Sequence, residues 1–168
     1  MANDGKVRFG LTNVHYAVMT TSELGVVSWG TPKRVYGAVN LDMAPQGDTN
    51  TFYADNTAYY VSTRNDGYQG DLEIALVPAS FAVDVLAETV DGTDKVQVEY
   101  ANAEGKQFAL LFQIDGDATD TLFVMYNCTC SRPNTTGKTL DNSKTPNTEK
   151  LTITASPMAD GKVKARTT

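Results

Sequence analysis

At 168 residues, with 41% hydrophobic and 20% charged side chains, the chain has the size and composition of one globular domain with a real core. Its net charge of −6 speaks against the basic stripe that sequence-reading of nucleic acid requires, and no apolar run approaches the length of a membrane span. The opening Met1-Ala-Asn-Asp-Gly-Lys6 is polar, so no secretory signal is expected, and assembly in a cytoplasm is.

Val7–Thr20 is predicted as the first strand, with Val14, Tyr16 and Val18 alternating against His15, Ala17 and Met19. Leu24–Gly30 reads as a loop whose Trp29 covers the edge of the core. After Pro32 a second strand is expected from Lys33 to about Met43, with Val39, Leu41 and Met43 on one face and Asn40 and Asp42 on the other. Pro45-Gln-Gly47-Asp48 ends it.

The segment 52–68 holds five of the fifteen aromatic residues, Phe52, Tyr53, Tyr59, Tyr60 and Tyr68, among Asp, Asn, Gly and Thr. It reads as either a long loop or a loose hairpin, closed by a turn at Asn65-Asp66-Gly67. Segments both aromatic and polar meet other surfaces, because Tyr offers apolar area and a polar tip. An ordinary loop with its Tyr packed back on the domain is the plainer alternative.

Gly70–Val77 is predicted as a strand with Leu72, Ile74 and Leu76 inward and Asp71 and Glu73 outward. Pro78 starts a short helix, Ala79–Ala87, whose apolar face is Phe81, Ala82, Val85 and Leu86, with Asp84 and Glu88 opposite. Three strands in quick succession then suggest an antiparallel meander: Lys95–Tyr100, the almost wholly apolar Gln107–Ile114, and Thr121–Thr129. Pro133–Thr148 is a polar excursion. A last strand alternates Leu151, Ile153 and Ala155 with Thr152, Thr154 and Ser156, and the basic tail Asp160–Thr168 is expected to be flexible in an isolated subunit. The sum is a mainly β fold: a two-sheet β-sandwich or barrel of about eight strands with one flanking α-helix, in a single domain over 1–168.

Charge is uneven along the chain. Residues 1–83 carry five basic and eight acidic side chains, 84–120 two and nine, and 121–168 seven and three. An acidic middle and a basic tail are compatible with head-to-tail contacts between copies, or with two solvated faces.

Little in the sequence points to catalysis. His15 is the only histidine, lies in a predicted strand and has no nucleophile elbow nearby. Asp115-Gly-Asp117-Ala-Thr-Asp120 lacks the sixth-position Gly and closing Glu of a calcium loop, so a hairpin turn is expected there. Cys128 and Cys130, two apart in a strand, share a face, are poorly placed to pair, and read as buried thiols. No enzyme activity, metal or cofactor is expected.

Three stretches carry a family signal. The first is Lys6-Val7-Arg8-Phe9-Gly10-Leu11-Thr12-Asn13-Val14-His15-Tyr16-Ala17-Val18, followed by Trp29-Gly30-Thr31-Pro32 and Gly37-Ala38-Val39-Asn40-Leu41-Asp42. The second is Thr51-Phe52-Tyr53-Ala54-Asp55-Asn56, leading to Gly70-Asp71-Leu72-Glu73-Ile74 and the helix after Pro78. The third is Pro146-Asn-Thr-Glu-Lys-Leu151-Thr-Ile-Thr-Ala-Ser-Pro157, then Asp160-Gly161. In order and spacing these resemble the major tail (tail tube) protein family of long-tailed siphophages of Gram-positive hosts.

The resemblance implies a structural virion protein that assembles as hexameric rings stacked into a hollow tail tube. Strands of neighbouring subunits would join into a barrel lining the lumen, through which genomic DNA passes without sequence-specific contact. Its partners would be itself, a tape-measure protein, a tail terminator and the baseplate or distal tail proteins. It further implies an N-terminal arm over 1–13, a long inter-strand loop over 45–69 and a C-terminal arm over 157–168, without the C-terminal immunoglobulin-like domain that members often carry. On that basis Asp48, Phe52, Tyr53, Asp55, Tyr59 and Tyr60 are candidates for ring-to-ring contact. Asn40, Asp42, Asp71 and Glu73 are candidates for the lumen, where acidic groups would let DNA slide. The alternatives are a monomeric β-sandwich that binds a ligand such as a carbohydrate, a tail-terminator or head decoration protein, and, last, a small enzyme on a barrel.

Overall fold

A computed structural model of the chain describes residues 8–116, 120–139 and 146–167. Its backbone is built around β1 (Leu11–Thr21), an eleven-residue strand that pairs on one side with β2 (Val27–Trp29) and β3 (Lys33–Arg34). Next in the chain come β4 (Ala38–Gln46), the ribbon of β5 (Thr49–Ala54) and β6 (Thr57–Thr63), and β7 (Gly67–Ile74). The helix α1 (Ala79–Asp84) is followed by a second small ribbon, β8 (Thr89–Val90) with β9 (Gln97–Val98). The chain closes with β10 (Phe108–Ile114), β11 (Leu122–Cys130), β12 (Glu149–Ala155) and β13 (Lys164–Arg166).

The main sheet is antiparallel, with strand order β2-β1-β10-β11-β12-β7-β4; β3 joins on β1 and β13 on β11. Inward residues from both limbs of this sheet meet in one cluster: Val14 and Tyr16, Leu72 and Ile74, Phe108 and Leu110, Leu151 and Ile153. β1 also lies close to β4 across the fold, so one curled sheet does the work expected of two facing sheets. The fold is mainly β with one small helix, and it has thirteen strands among the described residues where about eight were expected.

The helix closes the cluster. Its N-terminus is set by Pro78, whose carbonyl accepts from the Phe81 and Ala82 amides (2.9 and 3.2 Å). It is shorter than the predicted 79–87 because Ala87 takes a left-handed φ of 59° and the Glu88 amide returns to the Ala82 carbonyl (3.1 Å), six residues back, out of helical register. Phe81 meets Tyr16 and Phe108 edge-on, with centroids 5.0 and 5.5 Å apart. Full burial of such a ring contributes roughly 1.5–3 kcal/mol.

Several expectations are corrected. The predicted strand 33–43 is broken at Gly37, which has a φ of 76°, into β3 and β4. A bulge between Ala38 and Asn40 then turns Val39 outward, so only Leu41 and Met43 face in. The strand expected over 70–77 stops at Ile74, which leaves Leu76 exposed. Only Gln97 and Val98 of the stretch 95–100 are in a strand, and they pair with β8, not with β10; the predicted meander reduces to β10 and β11. Trp29 is part of β2, with its indole donating to the Tyr126 carbonyl (3.1 Å). The tail expected to be loose holds β13, laid against Phe123–Met125 of β11 with Val163 buried. Residues 1–7, part of the Asp115–Asp120 turn, and part of the excursion 133–148 lie outside the described residues.

Candidate assembly surfaces

The aromatic segment forms a hairpin. Thr-rich and Tyr-rich runs favour extended backbone, and Asp55-Asn56 between them both take positive φ, 51° and 61°, the requirement of a two-residue primed turn. The Thr57 hydroxyl donates to the Ala54 carbonyl (3.1 Å) across that turn. Thr49 stands opposite Thr63 and Phe52 opposite Tyr60, with a register shift that leaves Tyr59 as the extra residue. Six residues of β5 carry the tip about 20 Å from the neck.

At the neck the Arg64 amide donates to the Asp48 carbonyl (2.9 Å) and the Asp66 amide to the Gln46 carbonyl (2.8 Å). The Asn65 side chain accepts from the Gly67 amide (3.1 Å). Gly47 has a φ of 148°, and a Cβ there would collide with the Arg64 carbonyl, so glycine is required for the two strands to leave the sheet side by side.

The whole of β6 is exposed. Phe52 is 61% exposed, Tyr53 68%, Tyr59 74% and Tyr60 62%. The Phe52–Tyr60 pair lies on one face of the ribbon and Tyr53 on the other. Asp48 at the neck and Asp55 at the tip are also exposed. All six residues picked as contact candidates therefore sit on one projecting element. A two-stranded ribbon without cover is marginal in water.

The second set of candidates shares a different surface. With Leu72 and Ile74 buried, Asp71 and Glu73 point to the opposite side of β7. Asn40 stands opposite Glu73 and Asp42 opposite Asp71, so all four are brought together on the outer face. On the other flank of β7, Lys150 faces Glu73 and Thr152 faces Asp71. Thr152 donates to Asp71 (2.8 Å) and Thr148 to Glu73 (2.5 Å), which leaves these carboxylates half-buried while Asn40 and Asp42 remain exposed. Lys150 and Thr152 were not among the candidates; the alternation of Leu151, Ile153 and Ala155 was the signal that placed them outward.

Elsewhere the ionisable groups hold the fold together. The Tyr16 hydroxyl donates to Asp84 (2.8 Å), which also takes Lys33 at 2.5 Å, so Asp84 is not the solvent-facing residue expected on the helix. Burial pushes the Asp84 carboxyl up, but the hydrogen bonds from Lys33 and Tyr16 outweigh it and hold the group below its ordinary value. Burial raises the Tyr16 hydroxyl. Cys128 and Cys130 are free thiols, each pushed up to about 12 by burial. His15 Nδ1 lies 2.7 Å from the Asn13 carbonyl. Asp115 accepts from Thr12 (3.0 Å) and Gln113 (3.1 Å).

A cavity of about 290 Å³ opens between the limbs of the sheet, lined by Leu11, Leu41, Met43 and Ile114 with Tyr68 and Lys164. The Lys164 ammonium donates to the Tyr68 hydroxyl (2.9 Å) and stands 4.2 Å from the ring centroid. The cavity is just below the ~300–1,000 Å³ typical of small-molecule sites.

No family model matches the chain, and a search of curated proteins found no match. Among solved structures the chain is similar to the sheath/tube terminator of an extracellular contractile injection system, PVC, in its extended state. The likeness covers 97% of this chain and 99% of that one, at 9% identity and a TM-score of 0.48, too loose to fix a fold or a role.

Proposed function

We propose that the chain is a structural subunit of a phage tail, polymerising as stacked hexameric rings into the hollow tube through which DNA passes, and located in the virion tail. The observation that carries this reading is the β5–β6 hairpin, a ribbon with large aromatic side chains exposed on both faces and no cover among the described residues of its own domain. Such a ribbon gains stability by docking on another surface, and the resemblance of the sequence to tail tube proteins supplies that surface as a further copy of the chain.

Two further features support the reading. The outer edge of β4 carries no strand among the described residues, and open sheet edges pair readily between copies. The face bearing Asn40, Asp42, Asp71 and Glu73 is polar and carries three carboxylates, as a surface passed by DNA without binding it would require. Tape-measure, terminator and distal tail proteins are the partners that such a tube would meet.

The test is negative-stain electron microscopy of the purified chain, concentrated without partners. Hollow tubes or rings of six are expected. Particles of monomer size that bind a soluble glycan through the exposed tyrosines would overturn the proposal in favour of a binding module. Rings of six that never stack would move it to a terminator.

A further inference from the structure

A second two-stranded ribbon stands apart from the main sheet. β8 and β9 pair only with each other among the described residues, and Val90, Val96 and Tyr100 on and beside them are each about half exposed (51, 53 and 52%). The segment 88–104 is strongly acidic: Glu88, Asp91, Asp94, Glu99 and Glu104 stand against the single Lys95. Arg132, just past the end of β11, fixes the ribbon in place by pairing with Glu99 (2.7 Å) and donating to the Tyr100 carbonyl (3.3 Å).

The other end of the same strand carries the opposite charge. β13 is laid against Phe123–Met125 at the start of β11, and its outer edge carries no strand among the described residues. Lys162, Lys164 and Arg166 make this segment basic, with Asp160 its only carboxylate. Val124 and Arg132 are eight residues apart along β11, so the two surfaces are separated by on the order of 25 Å of extended chain. An acidic, partly apolar ribbon thus sits at one end of β11 and a basic, open-edged strand at the other.

We infer that these two surfaces bind each other between copies: the 88–104 ribbon of one subunit docks on the β13 edge of the next. Two different patches at opposite ends of one strand make a head-to-tail contact, which cannot close as a symmetric dimer and, where it does not close as a ring, propagates as a stack. Opposite charge steers the encounter and sets polarity, because ribbon-to-ribbon and edge-to-edge approaches repel. The exposed Val90, Val96 and Tyr100 supply apolar area to the same contact. The inference rests on the self-assembly reading and adds to it a second axial joint, independent of the β5–β6 hairpin.

The test uses two charge-reversed forms of the full chain. One carries Lys164→Glu and Arg166→Glu; the other carries Thr93→Lys, Asp94→Lys, Asn102→Lys and Glu104→Lys, residues at exposed positions, which makes the 88–104 ribbon basic. Each variant alone has two surfaces of like sign and is expected to raise the protein concentration needed for stacking by about tenfold or more. Mixed in equal amounts, the two present complementary surfaces again, and stacks of alternating composition are expected by sedimentation and electron microscopy. Thermal melts matching the unaltered chain establish that both variants are folded. Variants that each stack as well as the parent overturn the inference, and so do folded variants whose mixture fails to restore stacking. If the unaltered chain itself stays monomeric at every concentration, the self-assembly reading fails and this contact falls with it.

Discussion

β12 and β6 are both seven-residue strands with apolar residues at their centres, and they meet opposite fates. In β12, Leu151, Ile153 and Ala155 are at most 1% exposed; in β6, Tyr59, Tyr60 and Val61 are 74, 62 and 55% exposed. The difference lies in neighbours. β12 is paired on both edges, to β7 and β11, and its inner face meets the core cluster. Among the described residues β6 is paired on one edge only, to β5, and no layer covers either face. Apolar content alone does not decide burial. The number of partners that the topology supplies does, and a strand left with one partner leaves its apolar area exposed on the subunit.

The sharpest way to break the comparison is to remove the same kind of contact from each strand. Ile153→Ala is expected to cost about 2–5 kcal/mol of subunit stability in a denaturant melt, from lost burial and the cavity left behind. Tyr60→Ala, exposed in the subunit, is expected to stay within about 0.5 kcal/mol in the same melt. A large loss for Tyr60→Ala would mean that the hairpin packs on its own domain.

Asp84→Asn is the next largest. It removes a charged acceptor shared by Tyr16 and Lys33, and about 1.5–3 kcal/mol is expected. Because the folded carboxyl lies below its ordinary value, its contribution is present above the unfolded pKa of about 4 and is lost as pH falls through the depressed folded value. The gap between the unaltered chain and the variant should therefore be constant from pH 7 to 5 and shrink as pH falls below about 4. A gap that widens on acidification would contradict the assigned sign.

The thiols give a readout of the core without a substitution. Cys128 is fully buried and its thiol is pushed up to about 12, so a thiol reagent at pH 8 should label it only as fast as the subunit opens, and at once in denaturant, whereas the half-buried Cys130 is labelled in the folded chain. Fast labelling of Cys128 in the native chain would show that this end of β11 is not closed. The smallest effect is expected on the outer face, where Asp42 stands directly opposite Asp71. Asp42→Asn should relieve like-charge repulsion and stabilise the subunit by a few tenths of a kcal/mol, less at high salt.

What the sequence made legible was local periodicity. The alternation at 151–155, the apolar run at 108–114 and the start of the helix after Pro78 stand where the pattern put them, and Phe81, Ala82, Val85 and Leu86 are all buried although the helix ends at Asp84. The hairpin was half-legible: Asp55-Asn56 is a turn signal, but whether 52–68 paired with itself depended on the register of both strands. Leu76, Val96 and Tyr100 misled because alternation continued past the end of the ladder that would have buried it. β13 was missed for the opposite reason. Its Lys-Ala-Arg run has no apolar pattern, and its place is set by pairing with residues about forty positions earlier in the chain. The bulge at Val39 likewise follows from partner register, which no single strand encodes.

The central claim is that the sheet makes the subunit and the hairpin makes the polymer. It is tested most directly by replacing residues 48–64 with a short glycine turn between β4 and β7 and imaging the result beside the unaltered chain. The account predicts a subunit that melts cooperatively, as the unaltered one does, and forms monomers or single rings without tubes. Tubes of normal length from the shortened chain would contradict it.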